Sequence, residues 1–158
     1  MRTRTSATCV LVLVLLALGV RPAAAESAKL VVVVSAKSPV TGVSRLELKR
    51  AFLGEPIVIG DTRLAPFNAE PNSAERGGFD QSVLGMTPEE AGRFWIDRKV
   101  RGQGAAPRSL PAVHLAKVVA KFPGAISYLR IDQLTPEVKA LTVDGLAYSD
   151  RRYTIVTR

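Results

Sequence analysis

Apolar residues are arranged along this chain in three ways, and each predicts a different kind of element. The first arrangement is continuous. Lys29-Leu-Val-Val-Val-Val34 is an unbroken, β-branched run, the pattern of a strand buried on both faces, as in a parallel α/β sheet. It ends in the polar turn Ser35-Ala-Lys-Ser-Pro-Val40. At the carboxyl end of a buried strand such a turn either holds a ligand, as in open α/β sheets, or connects two elements and does nothing more.

The second arrangement has the helical period. Ser44 and Glu47 form an S-x-x-E capping box, with Val43 and Leu48 at the hydrophobic-staple positions. Leu48, Ala51 and Phe52 make one apolar face, Gly54 suits the left-handed C-terminal position, and Pro56 prevents continuation. A second helix starts at Asn72 or Ser73, with Glu75 closing a box from Asn72 and with Phe79 and Val83 one turn apart on its inner face. Gly77-Gly78 falls inside it, at about 1 kcal/mol per glycine relative to alanine. The pair either admits a close neighbour or shortens the helix. A third helix is capped by Thr87, has Pro88 at its first position and Glu90 closing the box, buries Ala91, Phe94 and Trp95, and ends near Val100. A fourth carries Leu115, Val118, Val119 and Phe122 on one face and His114, Lys117 and Lys121 on the other.

The third arrangement is short and β-prone: Ile57–Ile59 and Arg63–Phe67 around the turn Gly60-Asp61, then Ala125–Leu129, Val138–Val143 and Tyr153–Val156. Strands alternating with helices predict one α/β domain. The loop Arg101-Gly-Gln-Gly-Ala-Ala-Pro107 contains a lone G-x-G that follows a helix rather than a strand, which rules out a dinucleotide fingerprint.

Composition changes this picture mainly at the N-terminus. Arg2 and Arg4, the apolar stretch Cys9–Val20 and the small residues Ala23-Ala24-Ala25 predict a signal peptide over residues 1–25, cleaved between Ala25 and Glu26, with an uncleaved anchor as the alternative. The domain then occupies residues 26–158, and a periplasmic location follows. Removing the leader removes the single cysteine, so neither a disulfide nor a thiolate metal site is expected. It also removes three arginines and no acid, leaving 19 basic against 14 acidic residues, a net charge of +5. That suits attraction of anions. Scattered basic residues and few aromatics argue against nucleic acid. One histidine leaves no His pair for zinc, and no paired carboxylates or nucleophile–base set suggests an enzyme. No cofactor is expected.

Three motifs in order bear a resemblance to a known family. Phe52-Leu53-Gly54 closes the first helix, Asn72-Ser73-Ala74 with Phe79 opens the second, and Gly124-Ala125-Ile126-Ser127-Tyr128 forms a strand. Together they resemble the phosphate-binding proteins of ABC importers, the type II periplasmic-binding family, and more closely its short, signal-bearing relatives. The resemblance runs over roughly residues 31–143. It implies a three-layer, mixed but mostly parallel sheet flanked by helices, reduced to about one lobe of the two that clamp phosphate in full-length members. It also implies an inorganic oxyanion as ligand and a membrane transporter or sensor as partner. The sequence departs from the family where an arginine would precede the helix start, near Asn68. It departs again at Ala74, which lacks a threonine hydroxyl, at Glu75, which would repel an anion, and at Ser127, which replaces a glycine.

An oxyanion needs several convergent N–H and O–H donors with charge-assisted partners. The candidates are Ser35 and Ser38 after the first strand, Asn72 and Ser73 at the second helix start, and Arg76 or Arg101 for charge. A non-transport adaptor, keeping the fold to bind a partner protein, is the alternative function.

Overall fold

The computed structural model of the chain describes residues 27–157; the leader and its cleavage position lie outside the described residues. The continuous apolar run becomes β1 (Leu30–Ser35), and all six of its residues are buried. It lies inside a five-stranded sheet of order β6-β5-β7-β1-β8, whose other members are β5 (Ala65–Ala69), β6 (Arg108–Leu110), β7 (Ala125–Arg130) and β8 (Val138–Ala140). β6, β5 and β7 pair in parallel. β1 runs antiparallel to both β7 and β8, so four strands share one direction and the most apolar strand opposes them. Its unbroken hydrophobicity therefore reflects cover on both faces rather than a parallel neighbourhood.

Strand alternation assigns the two covers. Tyr128 of β7 faces Phe52 of α1 (Arg45–Phe52) and Phe79 of α2 (Ala74–Phe79), stacking on Phe79 at 3.9 Å between ring centroids and 8° between planes. Ser35, on β1, faces the opposite layer, where its hydroxyl donates to the Ala120 carbonyl of α4 (Ala112–Lys121) at 2.9 Å. The result is helix–sheet–helix, with the core centred on β1, β7 and the Phe52–Phe79–Tyr128 cluster. Short pairs complete it: β2 (Gly42–Val43) with β9 (Thr142–Val143), and the hairpin of β3 (Val58–Ile59) and β4 (Thr62–Arg63) around Gly60-Asp61.

The helix starts form as their sequences dictate. Ser44 accepts from the Glu47 N–H while Glu47 accepts from the Ser44 N–H at 2.8 Å, and Gly54 takes φ +87° just past the end. Thr87 and Glu90 make the same reciprocal box at α3 (Pro88–Val100). α2 passes into a π-helical turn, Asp80–Leu84, that ends at left-handed Gly85. Its glycine pair resolves unevenly. A Cβ on Gly78 would fall 2.2 Å from the Val156 carbonyl oxygen, whereas one on Gly77 would meet open space. Gly78 thus lets the C-terminal segment lie against α2.

Three expectations are corrected. Phe122 is not on the buried face of α4; it is the extended residue that ends the helix and is 57% exposed. Tyr153–Val156 is not a ladder strand: Tyr153 and Ile155 are buried in the core, and the segment makes one bridge, Lys29 to Val156. Glu75 does not close a box with Asn72, because Ser73 is the cap and Glu75 turns instead toward Arg130.

Candidate functional site

The reversed direction of β1 decides where the candidate residues lie. Ser35 pairs with Val138, and Val34 with Ile126, at the starts of β8 and β7. The turn after β1 therefore sits at the amino ends of the parallel strands. Asn72 and Ser73 follow β5 at the opposite, carboxyl end, level with Leu30 and Arg130. Five residue steps of about 3.3 Å separate the two levels, roughly 16 Å along the sheet. The six sequence candidates consequently fall into three places and do not converge on one.

At the first place the polar turn is already engaged. The Ser35 hydroxyl donates to α4 and accepts from the Lys37 N–H at 3.3 Å. Ser38 is buried, its hydroxyl accepts from the Val40 N–H at 3.4 Å, and its carbonyl accepts from Lys139 Nζ at 2.5 Å. These bonds close the turn onto β8 and α4. Arg101, the second place, ends α3 and is paired with Asp97 at 3.0 Å, with both side chains exposed.

The third place, the β5–α2 turn, is the richest in polar chemistry. Asn72 is exposed. The Ser73 hydroxyl accepts from the Arg76 N–H at 3.1 Å and donates to the Glu70 carbonyl at 2.9 Å. That cap takes one of the helix-start N–H groups; those of Ala74 and Glu75 precede the intrahelical ladder. Behind the turn lies a buried network. Tyr128 Oη donates to Asn68 Oδ1 at 3.3 Å and accepts from the Ala69 N–H at 3.2 Å, and burial pushes its hydroxyl above the ordinary tyrosine range. Arg76 Nε donates to Asp80 Oδ2 at 2.7 Å, both residues being buried. Asp80 Oδ1 has no partner among the described residues. Burial raises the Asp80 carboxyl above its usual range against the pull of Arg76. Arg130 closes the rim, bonding Asp132 at 2.7 Å and lying 3.5 Å from Glu75.

Sequence reading found Ser73 and Arg76 here but missed Asp80, Tyr128 and Arg130. Two signals were available. Arg76 and Asp80 have the i, i+4 spacing of a helical ion pair. Tyr128 and Arg130 share one face of a strand by alternation. Among the described residues no group of three His, Cys, Asp or Glu side chains could hold a metal ion.

The sequence matches no family profile and no curated protein. The fold does have close parallels among solved structures. One is a phosphate ABC transporter substrate-binding protein of Clostridium perfringens, solved with phosphate bound, at TM-score 0.64 and 17% identity over 83% of this chain and 53% of that one. Another is an ABC-type phosphate transport receptor of Vibrio cholerae, at TM-score 0.64 and 16% identity over 83% and 54%. PstS of Borrelia burgdorferi matches at TM-score 0.62 and 15% identity over 84% and 55%. The chain thus spans about half the length of these proteins, and its fold is periplasmic-binding-protein-like, amounting to about one lobe.

Proposed function

We propose that the mature chain is an exported, periplasmic module of the solute-binding type. Its ligand is phosphate or a related oxyanion, and it serves a membrane importer or sensor. The observation that carries this reading is the fold, which superposes over 83% of the chain on about half of a protein solved with phosphate bound. The predicted leader supports export, and the +5 charge of the mature chain supports an anionic ligand. The β5–α2 turn is the preferred location, because Asn72, the Ser73 cap, Arg76 and Arg130 gather at one end of the sheet. A single lobe leaves such a site open to water, so affinity is expected to be weak. The Clostridium perfringens neighbour is a substrate-binding protein and the Vibrio cholerae one a transport receptor, and the reading here is likewise a binding module rather than an enzyme.

The test is calorimetry and thermal unfolding of the mature protein with phosphate, sulfate and chloride. A ligand present at about a hundred times its Kd stabilises by about 2.7 kcal/mol. Ser73→Glu places a carboxylate at the helix start and should abolish the shift. An unmoved melting temperature at millimolar phosphate and sulfate would overturn the reading.

A second reading is favoured by a specific observation: Arg76 is held by Asp80, and Asn68 stands where the resembled family carries an arginine. Under it the chain is a non-transport adaptor that binds a partner protein without tight anion binding. Co-purification of a membrane protein with the wild-type chain, undiminished in Ser73→Glu, is its signature.

A further inference from the structure

A groove of about 1050 Å³ lies on the α4 side of the sheet, between α4 and the crossover that carries the chain from β7 to β8. Its volume is at the upper end of the range for small-molecule sites. The sheet-side lining comes from Ala116 and Ala120 of α4, and the far wall from Leu134 and Pro136 of the crossover. Small residues on the helix keep the space open: a leucine at either alanine would narrow it. Val113, at the α4 end of the groove, is 72% exposed, an apolar side chain left with no cover.

The polar groups are unevenly placed. Lys117 and Lys121 stand one helical turn apart on the α4 rim, and Lys37 projects from the turn after β1. Lys37 is tied to the end of α4 through Ser35, which accepts from the Lys37 N–H and donates to Ala120. Lys37 and Lys121 therefore mark one end of the groove, and Val113 lies eight residues, about 12 Å, up the helix from Lys121. Two carboxylates line the opposite wall. Asp132 is already paired with Arg130 at 2.7 Å, and Glu137 enters no ion pair among the described residues. The positive charge at the rim exceeds the free negative charge. On the same wall the enclosed Thr135 hydroxyl has no hydrogen-bond partner among the described residues, a state that buried polar groups seldom keep when their site is filled.

We propose that this groove binds a small amphipathic carboxylate, its head at the Lys37–Lys121 end and its aliphatic body along Ala120, Ala116 and Leu134 toward Val113. The charge complementarity selects an anion. The apolar lining selects one with a hydrocarbon body, which separates this site from the inorganic oxyanion proposed for the β5–α2 turn. The concave, small-ligand volume favours a small molecule over a protein surface.

The experiment titrates the mature protein with decanoate, decanol and decyltrimethylammonium below their micelle concentrations, following amide shifts by NMR. Decanoate should saturate one site and shift residues of α4 and of the 132–137 crossover, with decanol weaker by about ten- to a hundredfold for want of the charge-assisted contacts and the cation unbound. Lys37→Glu with Lys121→Glu should weaken decanoate to the level of decanol while leaving the fold intact by circular dichroism. Ala116→Trp should fill the groove and abolish both; if it perturbs the fold, Val113→Asp on the exposed end must weaken decanoate instead. Ser73→Glu must leave decanoate binding unchanged, which keeps this result independent of the oxyanion site. Equal binding of decanoate and decanol, shifts confined to other surfaces, or capture of an acidic peptide but not decanoate would overturn the assignment.

Discussion

Two of the helices begin with nearly the same chemical parts and use them in opposite ways. α1 starts at Ser44 with Glu47 three residues on; α2 starts at Ser73 with Glu75 two and Arg76 three residues on. At α1 the acid turns back on its own cap, accepting from the Ser44 N–H at 2.8 Å and its hydroxyl at 2.6 Å. Those bonds hold the Glu47 carboxyl below its usual range. At α2 neither charged side chain serves the cap. Glu75 turns to Arg130 on β7, and Arg76 reaches Asp80 at the start of the π-helical turn. The α1 cap is therefore closed by its own acid, with Asp144 accepting from the next N–H, that of Arg45, at 2.8 Å, whereas at α2 Glu75 goes to an arginine of a strand and Arg76 to the acid one turn on. The α1 start, its N–H groups already bonded to Ser44, Glu47 and Asp144, has nothing left over for a ligand, and the α2 start is where ligand chemistry remains available.

The comparison breaks most sharply at Asp80. Asp80→Ala leaves the buried Arg76 guanidinium without the acceptor oxygen that even a protonated Asp80 keeps, and should cost about 3–5 kcal/mol, read as a lowered urea midpoint. Replacing both partners, Asp80→Leu with Arg76→Met, should recover most of that loss, because the cost lies in the orphaned charge rather than in the missing bond. An Asp80→Ala protein as stable as wild type would mean that α2 does not depend on its buried i, i+4 pair.

A smaller effect separates the two caps. Ser44→Ala removes a hydroxyl that accepts from the Glu47 N–H and donates to the Glu47 carboxylate, leaving only the backbone half of the box, and should cost about 1–2 kcal/mol; Ser73→Ala removes a hydroxyl bonded to the Arg76 N–H and the Glu70 carbonyl, with no charged partner, and should cost about 0.5–1 kcal/mol. Equal losses in parallel urea titrations would erase the distinction between a cap reinforced by its own carboxylate and one that is not.

The same distinction explains what was legible in the sequence. Both boxed helices, the left-handed Gly54, the Gly60-Asp61 hairpin and the buried β1 are specified within a few residues, so residue order alone exposes them. What was not legible depends on strand direction. An apolar run looks identical whether its neighbours run with it or against it, and β1 runs against them. That one reversal sends Ser35 and Ser38 to the opposite end of the sheet from Ser73, dividing a candidate site that sequence spacing left undivided. Phe122 misled for a related reason. It has the right helical spacing, but Pro123 forces the residue before it out of the helical region, and it ends α4 in extended conformation with its ring in solvent.

Acid titration offers the finest probe of the contrast, because the two carboxylates carry opposite signs. The folded-state pKa of Glu47 is depressed below 4.5 by its bonds to Ser44. Its stabilisation is present above that value and is lost as pH falls through the folded pKa. Asp80 is raised above 3.8 by burial. Its contribution is fully present below 3.8 and is lost as pH rises through the higher folded value, since there the folded chain holds a proton that the unfolded chain has released. Glu47→Gln should therefore flatten the loss of stability below pH 4.5. Asp80→Asn should instead remove a stability gain that the wild type shows as pH falls toward 3.8. Urea midpoints of the three proteins, collected from pH 7 to 3, give the check. If both variants shifted the curve in the same direction, Asp80 would be a carboxylate stabilised by Arg76 as simply as Glu47 is by Ser44.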